Sequence, residues 1–235
     1  MRPARLRQED GYSIIELLVV LLILGFVLAG LYSTSIATQK LAVNSNEASQ
    51  TVRDAQSAAY RITRELRQTT RIMPTGTAAG TCPATATASC IDFLVRTQQL
   101  DVANNHVEQR VRIDCTQPYV STRPTATDAQ YRSCARYVSA DVTLPATALT
   151  GVVIARVLNW TSTTAWPVFA YRQIDPTQAS TNGWINASPP TNLTSSDAER
   201  INVTLQVPSR GEAEKLGASR ALLVQDAAQL RNILP

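Results

Sequence analysis

The chain has 235 residues, a formal net charge of +4, one His and four Cys. That length holds one globular domain with an appendage, and the mild positive balance does not demand nucleic acid as a partner. The lone His106 leaves little material for a Ser-His-Asp centre, and no Walker A motif occurs; neither an enzyme nor a cofactor is expected.

The chain opens on a leader carrying Arg2, Arg5 and Arg7. Gly11-Tyr12-Ser13-Ile14-Ile15-Glu16-Leu17-Leu18 follows, then apolar and neutral residues to about Ala37. Glu16 is the only charged residue between Tyr12 and Gln39. About 20 such residues cross a bilayer as a helix. The leader arginines stay cytoplasmic, which places the body beyond the membrane. Glu16 is the odd residue, because a carboxylate inside a transmembrane helix costs roughly 2.5–3.5 kcal/mol on insertion scales. Cutting between Gly11 and Tyr12 creates an α-amine four residues before it. In a helical filament that amine can neutralise the Glu16 of a neighbouring copy. Two plainer readings compete. A secretory signal peptide would use Ser35-Ile36-Ala37 as its small-x-small cleavage site, but its apolar core would be long and would contain Glu16 by accident. A single-pass anchor fits the length and leaves the Gly-Tyr-x-x-x-Glu spacing unexplained. A first residue of Tyr12, Thr38 or Met1 in the isolated protein separates the three.

At these residues the chain resembles the type IV pilin and type II secretion pseudopilin superfamily, whose motif is a short basic leader, Gly, an aromatic residue, three residues, Glu and an apolar helix. Gly11, Tyr12 and Glu16 fall on those positions, and Gly25 sits where a helix Gly is common. Tyr12 replaces the usual Phe, and Ser33 stands where major pilins often carry a kinking Pro. The resemblance implies that a prepilin peptidase cuts after Gly11 and methylates the amine of Tyr12, and that Glu16 guides docking into a filament. It also implies partners: other pilin or pseudopilin subunits, the peptidase and an inner-membrane assembly platform.

After the apolar run the helix is expected to continue to Met73. Val52, Ala55, Ala59, Ile62, Leu66, Thr69 and Met73 recur every three or four residues, and Pro74 and Gly76 end the pattern. Arg53, Arg61, Arg64, Arg67 and Arg71 lie mostly off this stripe and read as a solvated face. Arg61 and Glu65 are spaced for an i,i+4 pair. Residues 75–89 form a Thr/Ala/Gly-rich loop. Segments 91–96 and 107–113 read as an antiparallel hairpin, 118–130 as a loop and 134–138 as a strand. Further strands are expected at 152–160, 168–173 and, with clear period-two alternation, 201–207. Residues 175–194 read as a long surface loop, 209–217 as a charged turn and 221–233 as a last strand in preference to a short helix. The succession of 168–171, 201–207 and Leu230-Arg231-Asn232 further resembles minor pilins and J-type minor pseudopilins.

Cys82, Cys90, Cys115 and Cys134 all lie in the external region, where disulfides are the expected state. Three connectivities are open; sequential pairing, Cys82–Cys90 and Cys115–Cys134, closes the shortest loops and is the one expected. Zinc is not expected, since CxxC spacing is missing and His106 is badly placed. Acids at 197–214 lack a Ca²⁺ loop signature. Asn-x-Ser/Thr triplets begin at Asn159, Asn186, Asn192 and Asn202, and no glycans are assigned to them. DNA binding by the arginine row is unsupported, because only Tyr60 interleaves with it.

The expected architecture is α+β: a leader at 1–11, a transmembrane or filament-core helix at 12–37, its amphipathic continuation at 38–74, and an extracytoplasmic β-rich domain at 75–235 whose antiparallel sheet receives the helix. The expected function is a minor pilin serving pilus assembly and tip display for adhesion, motility or DNA uptake. The subunit would be held in the cytoplasmic membrane before assembly and in a surface filament afterwards. A minor pseudopilin of a type II secretion system and a membrane-anchored binding protein that never polymerises are the alternatives.

Overall fold

The computed structural model describes residues 13–76, 81–83, 87–100, 102, 106–120, 130–143, 146–160, 166–174, 184–187, 199–208 and 221–230. Gly11, Tyr12, the turn at 209–217 and Arg231-Asn232 lie outside these residues. The chain divides into two compact units, Met1–Asn46 and Glu47–Pro235. One helix, α1 (Ile14–Arg67), contributes to both and is helical through Ser33 and the Asn44–Asn46 stretch.

In the first unit α1 is apolar on every side. Ile14, Phe26 and Tyr32 are more than 70% exposed, and the leucines and valines between Leu17 and Leu31 are about half exposed or more. This segment is long and apolar enough to cross a membrane. A helix apolar all round has no solvated face and needs lipid or other helices around it. Three of its hydroxyls bond within the helix: Ser33, Thr34 and Thr38 donate to the carbonyls of Gly30, Leu31 and Ser35, each at 2.9 Å.

In the second unit α1 becomes amphipathic. Ala55, Ala58, Ala59, Ile62 and Leu66 are buried at helical spacing, while Arg53, Arg61 and Arg64 stay exposed. The helix stops at Arg67, six residues earlier than the sequence suggests. Gln68 N–H closes the last turn on Glu65 O at 3.0 Å. Thr69–Ile72 then forms strand β1, pairing Thr69 with Val95 and Ile72 with Phe93. Three of its four residues are β-branched, which favours a strand once a free sheet edge is offered.

The larger sheet is antiparallel, in the order β1-β2-β3-β4-β5. Strands β2 (Cys90–Leu100) and β3 (His106–Pro118) are the expected hairpin, and β4 (Arg132–Ser139) and β5 (Ala148–Val157) follow. The smaller sheet contains β6 (Phe169–Ile174), β7 (Trp184–Asn186), β8 (Arg200–Pro208) and β9 (Ala221–Gln229), in the order β7-β6-β8-β9 and also antiparallel. Strand β7 corrects the reading of 175–194 as loop throughout: Ile174 pairs with Trp184, and so short an edge strand leaves no periodicity to detect. The last segment is a strand, as expected.

One hydrophobic cluster joins α1 to both sheets. Ile91, Phe93 and Val95 alternate inward on β2, and Ile201, Val203, Leu205 and Val207 do so on β8. The sheets meet where Leu158 N–H bonds Gln206 O at 2.8 Å. Next to it, the fully buried Asn159 donates to Trp166 O (2.7 Å) and Thr204 O (2.8 Å) and accepts from Gln206 N–H (2.9 Å). The helix is fixed to β9 by the Thr63 hydroxyl, which donates to Asp226 Oδ2 at 2.7 Å.

Candidate assembly site

Ser13 precedes α1, and its carbonyl receives the amides of Glu16 (2.9 Å) and Leu17 (3.1 Å). Glu16 therefore stands third in the helix, where an acid is favoured by the unpaired amides and the helix dipole. Ser13-x-x-Glu16 also has the spacing of a capping box. Both facts make the carboxylate tolerable at the start of an apolar helix, but neither supplies a counter-charge. Glu16 is exposed, and the next charged residue towards the C-terminus is Lys40, nearly seven helical turns away by standard geometry. Among the described residues α1 offers Glu16 no cation before Lys40.

The other sequence-stressed residues fall elsewhere. Cys82 is bonded to Cys90 at the start of β2, and Cys115 of β3 to Cys134 of β4. The first pair closes the loop that leads into β2; the second is fully buried in the core. His106 is exposed, with Nδ1 3.1 Å from Thr97 O. Among the described residues no group of His, Cys, Asp and Glu side chains could hold a metal ion.

The arginine row is not uniform. All five are exposed, and Arg67 in addition donates to Ala227 O at 3.2 Å and lies 3.9 Å from Asp226. Glu65 does not serve Arg61. Its carboxylate takes the Nε of Arg136 on β4 at 2.9 and 3.0 Å, and Arg61 ahead of Glu65 is the less favourable order for an i,i+4 pair. Sequence spacing also hid the arginine–aromatic stacks. Arg132 lies 4.2 Å over Trp160, Arg112 lies 4.2 Å over Tyr137, and Arg156 lies 4.8 Å over Tyr119. Alternation along a single strand could have flagged their faces, but not their cross-strand partners.

Residues 6–32 match the family model described as the prokaryotic N-terminal methylation motif. The chain carries the prepilin-type signal of type IV pilins and pseudopilins. The matched stretch holds the Gly11–Tyr12 junction, Glu16 and the apolar part of α1, and it ends before the amphipathic part begins. No curated protein and no solved structure matches the chain. With the methylation motif at its head, a long helix and antiparallel sheets behind it, the fold is α+β and pilin-like. Such a motif implies processing by a prepilin peptidase and assembly with other pilin-type chains, and its apolar helix fits a membrane-anchored precursor.

Proposed function

We propose that this protein is a minor pilin, a low-copy subunit that takes part in the assembly of a type IV pilus and is displayed at or near its tip. A prepilin peptidase cuts between Gly11 and Tyr12 and methylates the new amine of Tyr12. The apolar part of α1 holds the precursor in the cytoplasmic membrane, with the β-rich unit outside, and later packs against the helices of other subunits. The single observation that carries this reading is Glu16: an exposed carboxylate in an otherwise uncharged helix, inside the matched motif, with no cation on its own helix before Lys40. Burial of that charge is tolerable only against a positive group, and the ammonium produced by cleavage is one turn away in sequence. The length of the external unit and the likeness of its last strands to minor pilins support the minor assignment.

Mass spectrometry of protein from sheared surface filaments is expected to find a chain beginning at N-methylated Tyr12 with no free thiols. Glu16→Ala is expected to leave membrane insertion intact and to reduce recovery in filaments at least ten-fold. A mature chain beginning at Met1 or Thr38, or full incorporation of Glu16→Ala, defeats the proposal.

A further inference from the structure

Strand β5 is the outer strand of the larger sheet and pairs only with β4. Among the described residues, no backbone group of β5 bonds on the far side of the strand. Residues 148–152 are all exposed, with Leu149 at 60% and Val152 at 58%. That unbroken run replaces the alternation of a strand with one covered face, and it leaves the edge open to solvent. Residues 148–155 include no charged residue and no Pro, so two of the devices that ordinarily blunt an edge are missing. The third is present: β5 carries extra residues against β4 where the register shifts. Such bulges bend and twist the strand, so only a short partner strand fits.

Helix α1 and β5 together line two cavities of about 490 and 430 Å³, with Arg61, Val152 and Val153 in both. The walls are braced. Arg136 donates from Nε to Glu65 of α1 and from Nη1 to Thr150 Oγ1 of β5 at 3.0 Å, and Thr150 Oγ1 donates to Arg136 O at 3.0 Å. This network occupies Glu65, the one acid among the described residues lining the larger cavity. Arg61 and Arg64 line the same cavity, and neither has a hydrogen bond or ion pair among the described residues. Asp54 lines only the smaller cavity. The groove beside the open edge is therefore positive at Arg61 and Arg64.

We infer that β5 accepts, as a sixth strand of the larger sheet, a short extended acidic segment of a partner protein. Its backbone pairs with the open edge, and its carboxylates meet Arg61 and Arg64. Main-chain hydrogen bonds supply the affinity of such an addition, and side chains at every second position supply the selectivity. Charge selects the partner more than it tightens the complex. A basic segment is repelled here, and an apolar one leaves both guanidiniums uncompensated. A second copy paired through β5 would bring two more arginines to the same groove. The inference concerns the second unit alone and stands whether or not the N-terminal motif is processed.

The test uses full-length protein in a nonionic detergent at low ionic strength. The probes are short fluorescent peptides that alternate Glu with Val or Thr, and the same peptides with Lys in place of Glu, read by anisotropy. A sub-millimolar Kd is expected for the Glu peptides and no binding for the Lys peptides. Arg61→Glu combined with Arg64→Glu should weaken the Glu peptides at least ten-fold and confer binding of the Lys peptides. Arg53→Glu, which lines neither cavity, should change either affinity less than two-fold. Alternate amides of a strand face opposite edges, so N-methylation along one edge of the Glu peptide should abolish binding and along the other should leave it intact. That comparison is made on the unaltered protein and decides the matter if the double variant misfolds. Absence of sub-millimolar binding, full binding by the double variant, or equal effects of methylation on both edges overturns the inference. A peptide-free dimer that Val152→Lys dissociates would make a second copy the occupant and overturns it as well.

Discussion

Asp92 on β2 is 2% exposed and is gripped by Arg110 of β3, with Nη2–Oδ2 at 2.7 Å and Nε–Oδ1 at 3.0 Å. Burial raises the Asp92 carboxyl above its usual 3.8, and the Arg110 hydrogen bond, the Arg110 charge and then the Arg112 charge oppose that rise. The folded protein therefore holds this proton more tightly than the unfolded chain. The contribution of Asp92 to stability is largest below pH 3.8 and is lost as pH rises through the higher folded value, so mild acid does not unfold the protein through this group. Breaking the pair is another matter. Asp92→Ala strands a buried guanidinium and is expected to cost about 3–5 kcal/mol, whereas Asp92→Leu combined with Arg110→Met recovers most of it. Urea denaturation midpoints check this, and a single variant as stable as the double one refutes it. Asn159 is expected to behave similarly: Asn159→Ala unpairs three backbone groups and should cost about 3 kcal/mol, read in the same titrations. Its complete burial also closes the triplet at Asn159 to modification. Neither residue stands out in the sequence, where Asp92 is one acid in a strand and Asn159 lies between Leu158 and Trp160 near the end of the expected strand 152–160.

The elements were legible in proportion to their regularity. Helix α1, the β2–β3 hairpin and β8 announce themselves because a period of 3.6 or 2 is sustained over several residues. Thr69–Ile72 was hidden because Leu66, Thr69 and Met73 continue the helical spacing across the break; only the presence of the β2 edge, a tertiary fact, turns them into β1. Strand β7 is three residues long and gives no period at all. The N-terminal motif could be read directly, since its residues are contiguous. The row of Ala170, Asn202 and Ala227 on the smaller sheet could not, since only strand pairing brings the three together. The disulfides tie elements of unequal regularity. By loop closure the 19-residue separation of Cys115 and Cys134 is worth about 3 kcal/mol and the 8-residue separation of Cys82 and Cys90 about 2.5 kcal/mol. Cys115→Ser with Cys134→Ser should be the more destabilising pair by about that difference, since all four cysteines are buried and the cost of a buried hydroxyl is common to both pairs. Thermal melts of the two double variants test that order, and the reverse order counts against it.

The whole molecule separates its two tasks along the chain. Among the described residues the buried hydrophobic core begins at Ala55, and the run of exposed large apolar side chains from Ile14 to Val43 falls within the first unit. What makes the intact chain require a membrane or a filament is confined to residues before Glu47. Folding of the second unit needs only the part of α1 that carries Ala55, Ala58, Ala59, Ile62 and Leu66, with Thr63 on Asp226. A chain beginning at Glu47 and secreted to an oxidising compartment is therefore expected to be soluble and monomeric without detergent, to contain no free thiols, and to unfold in one cooperative transition. Removing a further stretch to Gln68 takes away the helical face of the core and should leave an aggregating product. Size-exclusion chromatography with urea titration distinguishes these outcomes. Aggregation of the chain that begins at Glu47 would mean that the apolar helix supports the fold of the second unit, and the division of labour would have to be abandoned.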